Sequence, residues 1–333
     1  MKTSTRRKLI LLLGWALLFL LIIEISLRIA GFGQMPLYTA SDEWEYMTTP
    51  NQSGYRLGNR FYINAYGMRC DEVDSTKRHI LGLGDSVLFG GAQTDQDSLA
   101  TSLITQETGI QMLNISAGSW GPDNCAAYLR HYGLFNAEAL FLQVSSHDAH
   151  DNISHEPVVD VHPSYPSKQF YCATVEVLIR YVLPRLMPSS KKDPDQKVLS
   201  ESGIRKDGKP FNPGFAQLKA MCDSAHIPMV VYLHAEQTEL SAGKYNDQGD
   251  EIIAWCAANN VPLIKDLDLG LTTSDFRDNI HLSAHGQRNM ANHLKRYLKQ
   301  FPYAAKPCKG DPPIAIAQPP SAVGSLLYVR PPH

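Results

Sequence analysis

Two hydrophobic rhythms run along the chain. From Leu9 to Ile23 the residues are apolar without a break. Further on, apolar residues come in short runs at 79–83, 111–116, 139–145, 227–233 and 262–265. Between these lie helix-like stretches near 97–108, 123–133, 213–225, 247–259 and 284–300. A short unbroken apolar run suits a strand buried on both faces, and an amphipathic stretch suits a helix that covers it. The alternation predicts an α/β domain over 78–302, with a parallel sheet of about five strands between two layers of helices.

The first rhythm predicts a membrane span. Arg6, Arg7 and Lys8 precede it, and it continues through Glu24-Ile25-Ser26-Leu27-Arg28. Crossing a bilayer takes roughly 20 residues, which segment 9–28 supplies if Glu24 sits near the far interface. A secretory signal peptide shares the basic start and short apolar core. Only Ile29-Ala30-Gly31 follows, without a small-x-small cleavage site, so a retained signal-anchor is expected. Lys2, Arg6, Arg7 and Lys8 stand before the span, and Asp42, Glu43 and Glu45 after it. By the positive-inside rule residues 1–8 stay in the cytoplasm and the rest is exported.

Three further segments flank or interrupt the domain. Residues 29–77 read as a spacer and lead-in, rich in aromatics and turn residues and packed on the domain. Residues 147–212 form an insertion with a helix candidate from Tyr171 to Tyr181, whose aromatics are expected in that helix's core packing. The insertion shows no long exposed apolar stretch of the kind that forms a lipase lid. Residues 303–333 carry seven prolines, from Pro307 to Pro332, and read as an extended tail.

The chemistry gathers at strand ends. Gly84-Asp85-Ser86 closes the run His79-Ile80-Leu81-Gly82-Leu83 and places a hydroxyl at the carboxyl edge of the sheet, where open α/β folds build sites. A serine needs a base, and histidine suits neutral pH. Asp278-Asn279-Ile280-His281 supplies a histidine and, three residues earlier, a carboxylate to orient it. The plain alternative is that Asp278 and His281 only cap the following helix.

Together these motifs resemble the SGNH (GDSL) hydrolase family. The lead-in Ile63-Asn64-Ala65-Tyr66-Gly67-Met68-Arg69 is similar to the segment before the nucleophile in membrane-anchored members. The resemblance implies a flavodoxin-like α/β/α sandwich and a Ser86, His281, Asp278 triad. The family's second block corresponds to Asn114-Ile115-Ser116-Ala117-Gly118-Ser119-Trp120-Gly121-Pro122. It implies an oxyanion donor from the backbone of Gly118 or Ser119, besides that of Ser86. The third block, Gly-x-Asn-Asp in the family, corresponds to Ser145-Ser146-His147-Asp148, with His147 in place of the amide donor. A ring N–H can serve there too. Asp85 is expected to brace the nucleophile loop, and His285 is a weaker candidate base.

The same tract, His147-Asp148-Ala149-His150-Asp151 with His155 and His162 nearby, offers a rival reading as a metal site, since imidazole with carboxylate suits zinc, iron or manganese. A loop edge that holds one oxyanion donor is the simpler reading, and no cofactor is expected. The net charge of −2 argues against a nucleic-acid partner. Six scattered cysteines lack metal spacing. Cys222 and Cys256 are expected to be buried, with at most one or two disulfides in the chain.

The expected function is a serine esterase acting through an acyl-enzyme. In a bacterial chain it would sit in the inner membrane and face the periplasm. The expected substrates are O-acetyl or other short acyl esters of an envelope or secreted polysaccharide, with polysaccharide-assembly proteins as partners. An O-acyltransferase with the same triad, or a catalytically silent glycan-binding protein, are the alternatives.

Overall fold

The computed structural model describes residues 2–186 and 210–299. The tail at 303–333, Cys308 and most of the charged end of the insertion lie outside them.

The first helix, α1 (Lys2–Ile29), contains a stretch, Arg6–Ile29, long and apolar enough to cross a membrane. Two antiparallel hairpins follow, β1 (Tyr38–Ser41) with β2 (Glu45–Thr48) and β3 (Gln52–Arg56) with β4 (Asn59–Ile63). The spacer is thus structured, through pairing that its turn-rich composition concealed. Tyr46 and Ile63 are fully buried.

The sheet of the domain comprises β5 (His79–Gly84), β6 (Gln111–Ser116), β7 (Leu140–Ser145), β8 (Met229–His234) and β9 (Leu263–Lys265). All pairings are parallel, in the order β6-β5-β7-β8-β9. The expected strands are present, shifted by two residues at most. Side chains alternate between the two faces of a strand. Leu81, Leu83, Leu113, Leu142 and Val231 enter one apolar cluster, whereas Ile80, Met112, Phe141 and Val230 enter the other. Every position of β5 to β8 is buried, so both faces of the sheet are covered.

Helices supply that cover. The nucleophile turn α2 (Ser86–Phe89) is followed by α3 (Ala100–Thr108) and α4 (Pro122–Tyr132). In the insertion, α5 (Ala173–Val177) runs through a π-helical turn, Leu178–Val182, into α6 (Leu183–Leu186). Then come α7 (Gly214–Ala225), α8 (Gln237–Ala242), α9 (Asp247–Ala258) and α10 (Ala284–Leu298). Leu103 of α3 and Met290 and Leu294 of α10 close one face. Tyr128, Phe215, Cys222, Ile252 and Cys256 of α4, α7 and α9 close the other. The result is the expected three-layer α/β/α sandwich.

The expectation for the aromatics of the insertion helix holds for one and fails for the other: Tyr181 packs edge-on against Phe32 at 5.8 Å, whereas Tyr171 is 98% exposed. Val175, Leu178, Ile179, Val182, Leu183 and Leu186 are exposed as well. The insertion therefore does present an exposed apolar stretch. Helical periodicity identifies a stripe but not what the stripe faces. Cys70, Cys125, Cys172, Cys222 and Cys256 are all free thiols, and Cys222 and Cys256 are buried as expected.

Candidate active site

The chain enters the sheet at β5, then turns to β6 on one side and β7 on the other. The carboxyl end of β5 is therefore the switch point at which open α/β sheets form a crevice. Ser86 stands there as the first residue of α2. The Asp85 carboxylate caps that turn, accepting from the Val87 N–H at 2.7 Å, and so braces the loop as expected. Gly84 packs closely on its surroundings: an added Cβ would lie 2.6 Å from the Gln143 amide oxygen on β7 and 3.1 Å from Leu88 Cβ, so both would have to give way. Gly90 ends the turn at φ 74, where a side chain would also meet Leu99.

The loop before α10 brings the other two expected residues to Ser86. His281 Nε2 lies 2.9 Å from Ser86 Oγ, and His281 Nδ1 lies 2.9 and 3.0 Å from the two Asp278 oxygens. Asp278 Oδ1 also accepts from the backbone N–H groups of Ile280 and His281, at 3.1 and 2.8 Å. Burial alone would raise this carboxyl, but the His281 ring and the two backbone donors outweigh it and hold it well below the usual carboxylate range. It stays an anion that fixes the ring with its proton on Nδ1 and leaves Nε2 to accept from serine. His285 does not compete, since its ring turns to Asp275 at 3.6 Å.

Gly118 and Ser119 follow β6. Ser119 has φ 56, a left-handed conformation, and Trp120 N–H closes the turn onto the Ala117 carbonyl at 3.3 Å. The first hairpin clamps this turn. Tyr46 donates its hydroxyl to the Gly118 carbonyl at 2.7 Å, and the Trp120 indole donates to the Tyr46 carbonyl at 2.8 Å. Among the described residues, the backbone N–H groups of Ser86, Gly118 and Ser119 donate to no protein acceptor. Both candidate registers of the second block remain chemically competent.

His147 lies in a 3-10 turn, Ser146–Ala149, directly after β7. Its Nδ1 is 3.3 Å from Glu236 Oε1, and its Nε2 is 4.0 Å from Asp85 Oδ2 and 3.9 Å from Asp151 Oδ2. Burial would lower the ring, but Asp148, Glu236, Asp151 and Asp85 outweigh it and push it up to about 10. His147 is thus an imidazolium at neutral pH, with an N–H on both nitrogens. Asp148 shifts upward, chiefly through burial, against the pull of His147. The rival metal reading would have His147 and His150 side by side on a helical turn, and they do not meet. His150 instead contacts Glu251 at 3.1 Å and the Pro210 carbonyl at 3.2 Å, because the 3-10 turn does not continue as a helix. The ligand-capable atoms that do converge, within 4.8 Å of one another, belong to Asp85, His147 and Asp148.

Several positioning residues escaped the sequence reading. His234, the last residue of β8, is fully buried between Asp266 Oδ2 at 2.5 Å and the Ile280 carbonyl at 2.7 Å. Both neighbours are acceptors only, so the ring carries two protons. Asp266 accordingly raises its pKa against the cost of burial. This tie holds the loop one residue before His281. Gln287 on α10 donates to the Val87 carbonyl at 2.8 Å, and Arg277 donates to the Gly90 carbonyl at 3.1 Å. Arg69, fully buried at the end of the lead-in, donates to the carbonyls of Phe89, Gly91 and Thr94 at 2.5–2.7 Å. The only signal for His234 was a polar residue at the end of a buried apolar run.

No family model matches the chain, and no curated protein matches it significantly. Solved structures do. A member of the lipolytic protein G-D-S-L family from Veillonella parvula is 10% identical, with 67% of this chain and 100% of that chain covered and a TM-score of 0.37. An inhibitor-bound aryl esterase from M. smegmatis is 12% identical, with 67% and 98% covered and a TM-score of 0.35. A carbohydrate esterase with divergent catalytic and non-catalytic binding functions is 12% identical, with 68% and 69% covered and a TM-score of 0.36. Superpositions this loose carry no weight alone. What the chain itself shows is a five-stranded parallel sheet with a serine at its switch point beside a histidine and an aspartate, the arrangement that its resemblance to the SGNH/GDSL hydrolases implies.

Proposed function

We propose that the chain is a serine ester hydrolase working through an acyl-enzyme. The observation that carries this reading is the 2.9 Å contact between Ser86 Oγ and a His281 ring whose other nitrogen is held by ionised Asp278. Ser86 Oγ attacks the ester carbonyl carbon as its proton passes to His281 Nε2. The carbonyl oxygen becomes an oxyanion, met by the backbone N–H of Ser86 and of Gly118 or Ser119 and by the cationic ring of His147. The C–O bond to the leaving alcohol then breaks, and that alcohol takes the proton from Nε2. Water repeats the sequence to release the acid and restore Ser86.

The surroundings favour a hydroxyl-rich carrier over a long-chain lipid. Glu236 and Asp151 flank the His147 ring at 3.3 and 3.9 Å, and Arg277 borders the nucleophile turn at the Gly90 carbonyl, polar groups of the kind with which a sugar exchanges hydrogen bonds. O-acetyl or other short acyl esters of an envelope or secreted polysaccharide are the substrates of choice. Arg6, Arg7 and Lys8, in α1 ahead of its apolar stretch, favour a domain on the exported side of the membrane, where such polymers and their assembly proteins would lie.

The test is an ester assay on the full chain in detergent, with p-nitrophenyl acetate and an O-acetylated polysaccharide, alongside Ser86→Ala. Wild-type rates in Ser86→Ala would overturn the mechanism. Labelling of Ser86 by a fluorophosphonate, with acyl transfer to a sugar and no hydrolysis, would assign the chain as an acyltransferase. Neither labelling nor turnover would assign it as a binding protein.

A further inference from the structure

Segment 173–186 is amphipathic in the inverse sense for a protein in water. Its outward stripe is Val175, Leu178, Ile179, Val182, Leu183 and Leu186, at the spacing of one helical face. Its inward side carries the polar groups. Glu176 is fully buried, 2.5 Å from Arg56 Nη2, and accepts from the Gly33 N–H at 2.6 Å. Tyr181 lies 3.4 Å from the same guanidinium and packs edge-on against Phe32 at 5.8 Å. This inward network fixes the rotation of the helix, so the stripe is displayed by construction.

The same segment is joined to α1 at a defined height. Glu24 caps it, accepting from the N–H groups of Ala173 and Thr174 at 2.9 Å and from the Thr174 hydroxyl at 2.8 Å. Arg28 donates to Glu24 at 2.7 Å and to the Tyr171 carbonyl at 3.0 Å. At a rise of about 1.5 Å per residue, the helix from Leu9 to Arg28 is roughly as long as the hydrocarbon core is thick. Arg28 and the projecting Tyr171 ring then fall at the headgroup level, where tyrosines gather. The exposed stripe begins just beside them.

We infer that segment 171–186 lies in the exported face of the bilayer, its apolar stripe in lipid, and seats the catalytic domain on the membrane in one orientation. The occupant is lipid because Glu24 and Arg28 join the start of the segment to α1 at the end of that helix's apolar stretch. The arrangement is that of an interfacial helix, with an apolar side in the acyl boundary and a polar side against the protein. The inference rests on the reading of α1 as a membrane span.

The test uses the full chain, with Cys172→Ser and Cys308→Ser, in nanodiscs of phosphatidylethanolamine and phosphatidylglycerol. An environment-sensitive fluorophore is attached at Ile179→Cys, at Leu186→Cys, at Leu17→Cys within the span, or at Lys244→Cys on the exposed surface. The expected result at Ile179 and Leu186 is strong quenching by shallow brominated lipid and several-fold weaker quenching by aqueous iodide than at Lys244. Iodide quenching at both equal to that at Lys244, with lipid quenching retained at Leu17, would overturn the seat and leave the span standing. Loss of lipid quenching at Leu17 would overturn both. Shielding of Ile179 and Leu186 from both quenchers would mean that protein, not lipid, covers the stripe, which also overturns the inference.

Discussion

Two histidines near the carboxyl edge of the sheet are each paired with an aspartate, yet the structure gives them opposite chemistry. His281 lies 2.9 Å from Asp278 on one side and Ser86 Oγ on the other. His234 lies 2.5 Å from Asp266 on one side and 2.7 Å from the Ile280 carbonyl on the other. A hydroxyl can give up a proton, and a carbonyl cannot. The first ring can therefore act as a base, whereas the second is locked as a buried cation that ties β9 to the catalytic loop. A histidine–carboxylate pair is no signature of a base until its third partner is known.

The comparison can be broken at its strongest point first. His281→Ala removes the base, and in a subtilisin-type triad that costs about a million-fold in turnover, read from ester hydrolysis. Asp278→Asn keeps the shape but loses the charge that sets the tautomer, and a fall of about ten-thousand-fold is expected. His234→Ala acts elsewhere. It leaves Asp266 buried without its cation, and about 3–5 kcal/mol of stability should be lost, measured by denaturant unfolding. A variant as stable as the wild type would show that the pair is not the clamp described here.

Smaller effects sharpen the contrast. His147→Ala removes the proposed side-chain oxyanion donor and should lower kcat by about a hundred-fold, and His147→Asn should restore most of it. A collapse in both variants would give His147 another task. In pH, His234 and His147 act in the same direction. Their folded pKa values are raised above the unfolded value of about 6.5, with His147 at about 10. The stability each contributes is complete below about pH 6.5 and is lost as pH rises through the folded value. The melting temperature in detergent should fall between pH 7 and 10, and less steeply in His234→Gln. An equal slope would mean that His234 is not titrating there.

The strands and the triad were legible because their signals are local. The runs that became β5 to β9 are apolar at nearly every position, and Asp278 and His281 share one loop. His234 and Asp266 are 32 residues apart and meet only because β8 and β9 are neighbours, so no local pattern announces them. The second hairpin turns at Leu57-Gly58, both with positive φ, where an asparagine would have advertised the turn. The stripe on segment 173–186 was visible as a period, but a period is indifferent to whether protein or lipid lies opposite.

The stretch from Gly31 to Arg69 gives the site a working height. Gly31 packs so closely on Leu57 that a side chain would fall 2.4 Å from its backbone nitrogen, Tyr46 clamps Gly118, and Arg69 bolts the far end to the nucleophile turn. A catalytic domain on a loose tether sweeps a volume set by linker length and samples whatever drifts through it. This one is mounted on a short bracket. On the proposed reading of α1 and Ser86, it would serve only esters carried past at one elevation, and lengthening the bracket would relocate its activity without touching a single reacting atom.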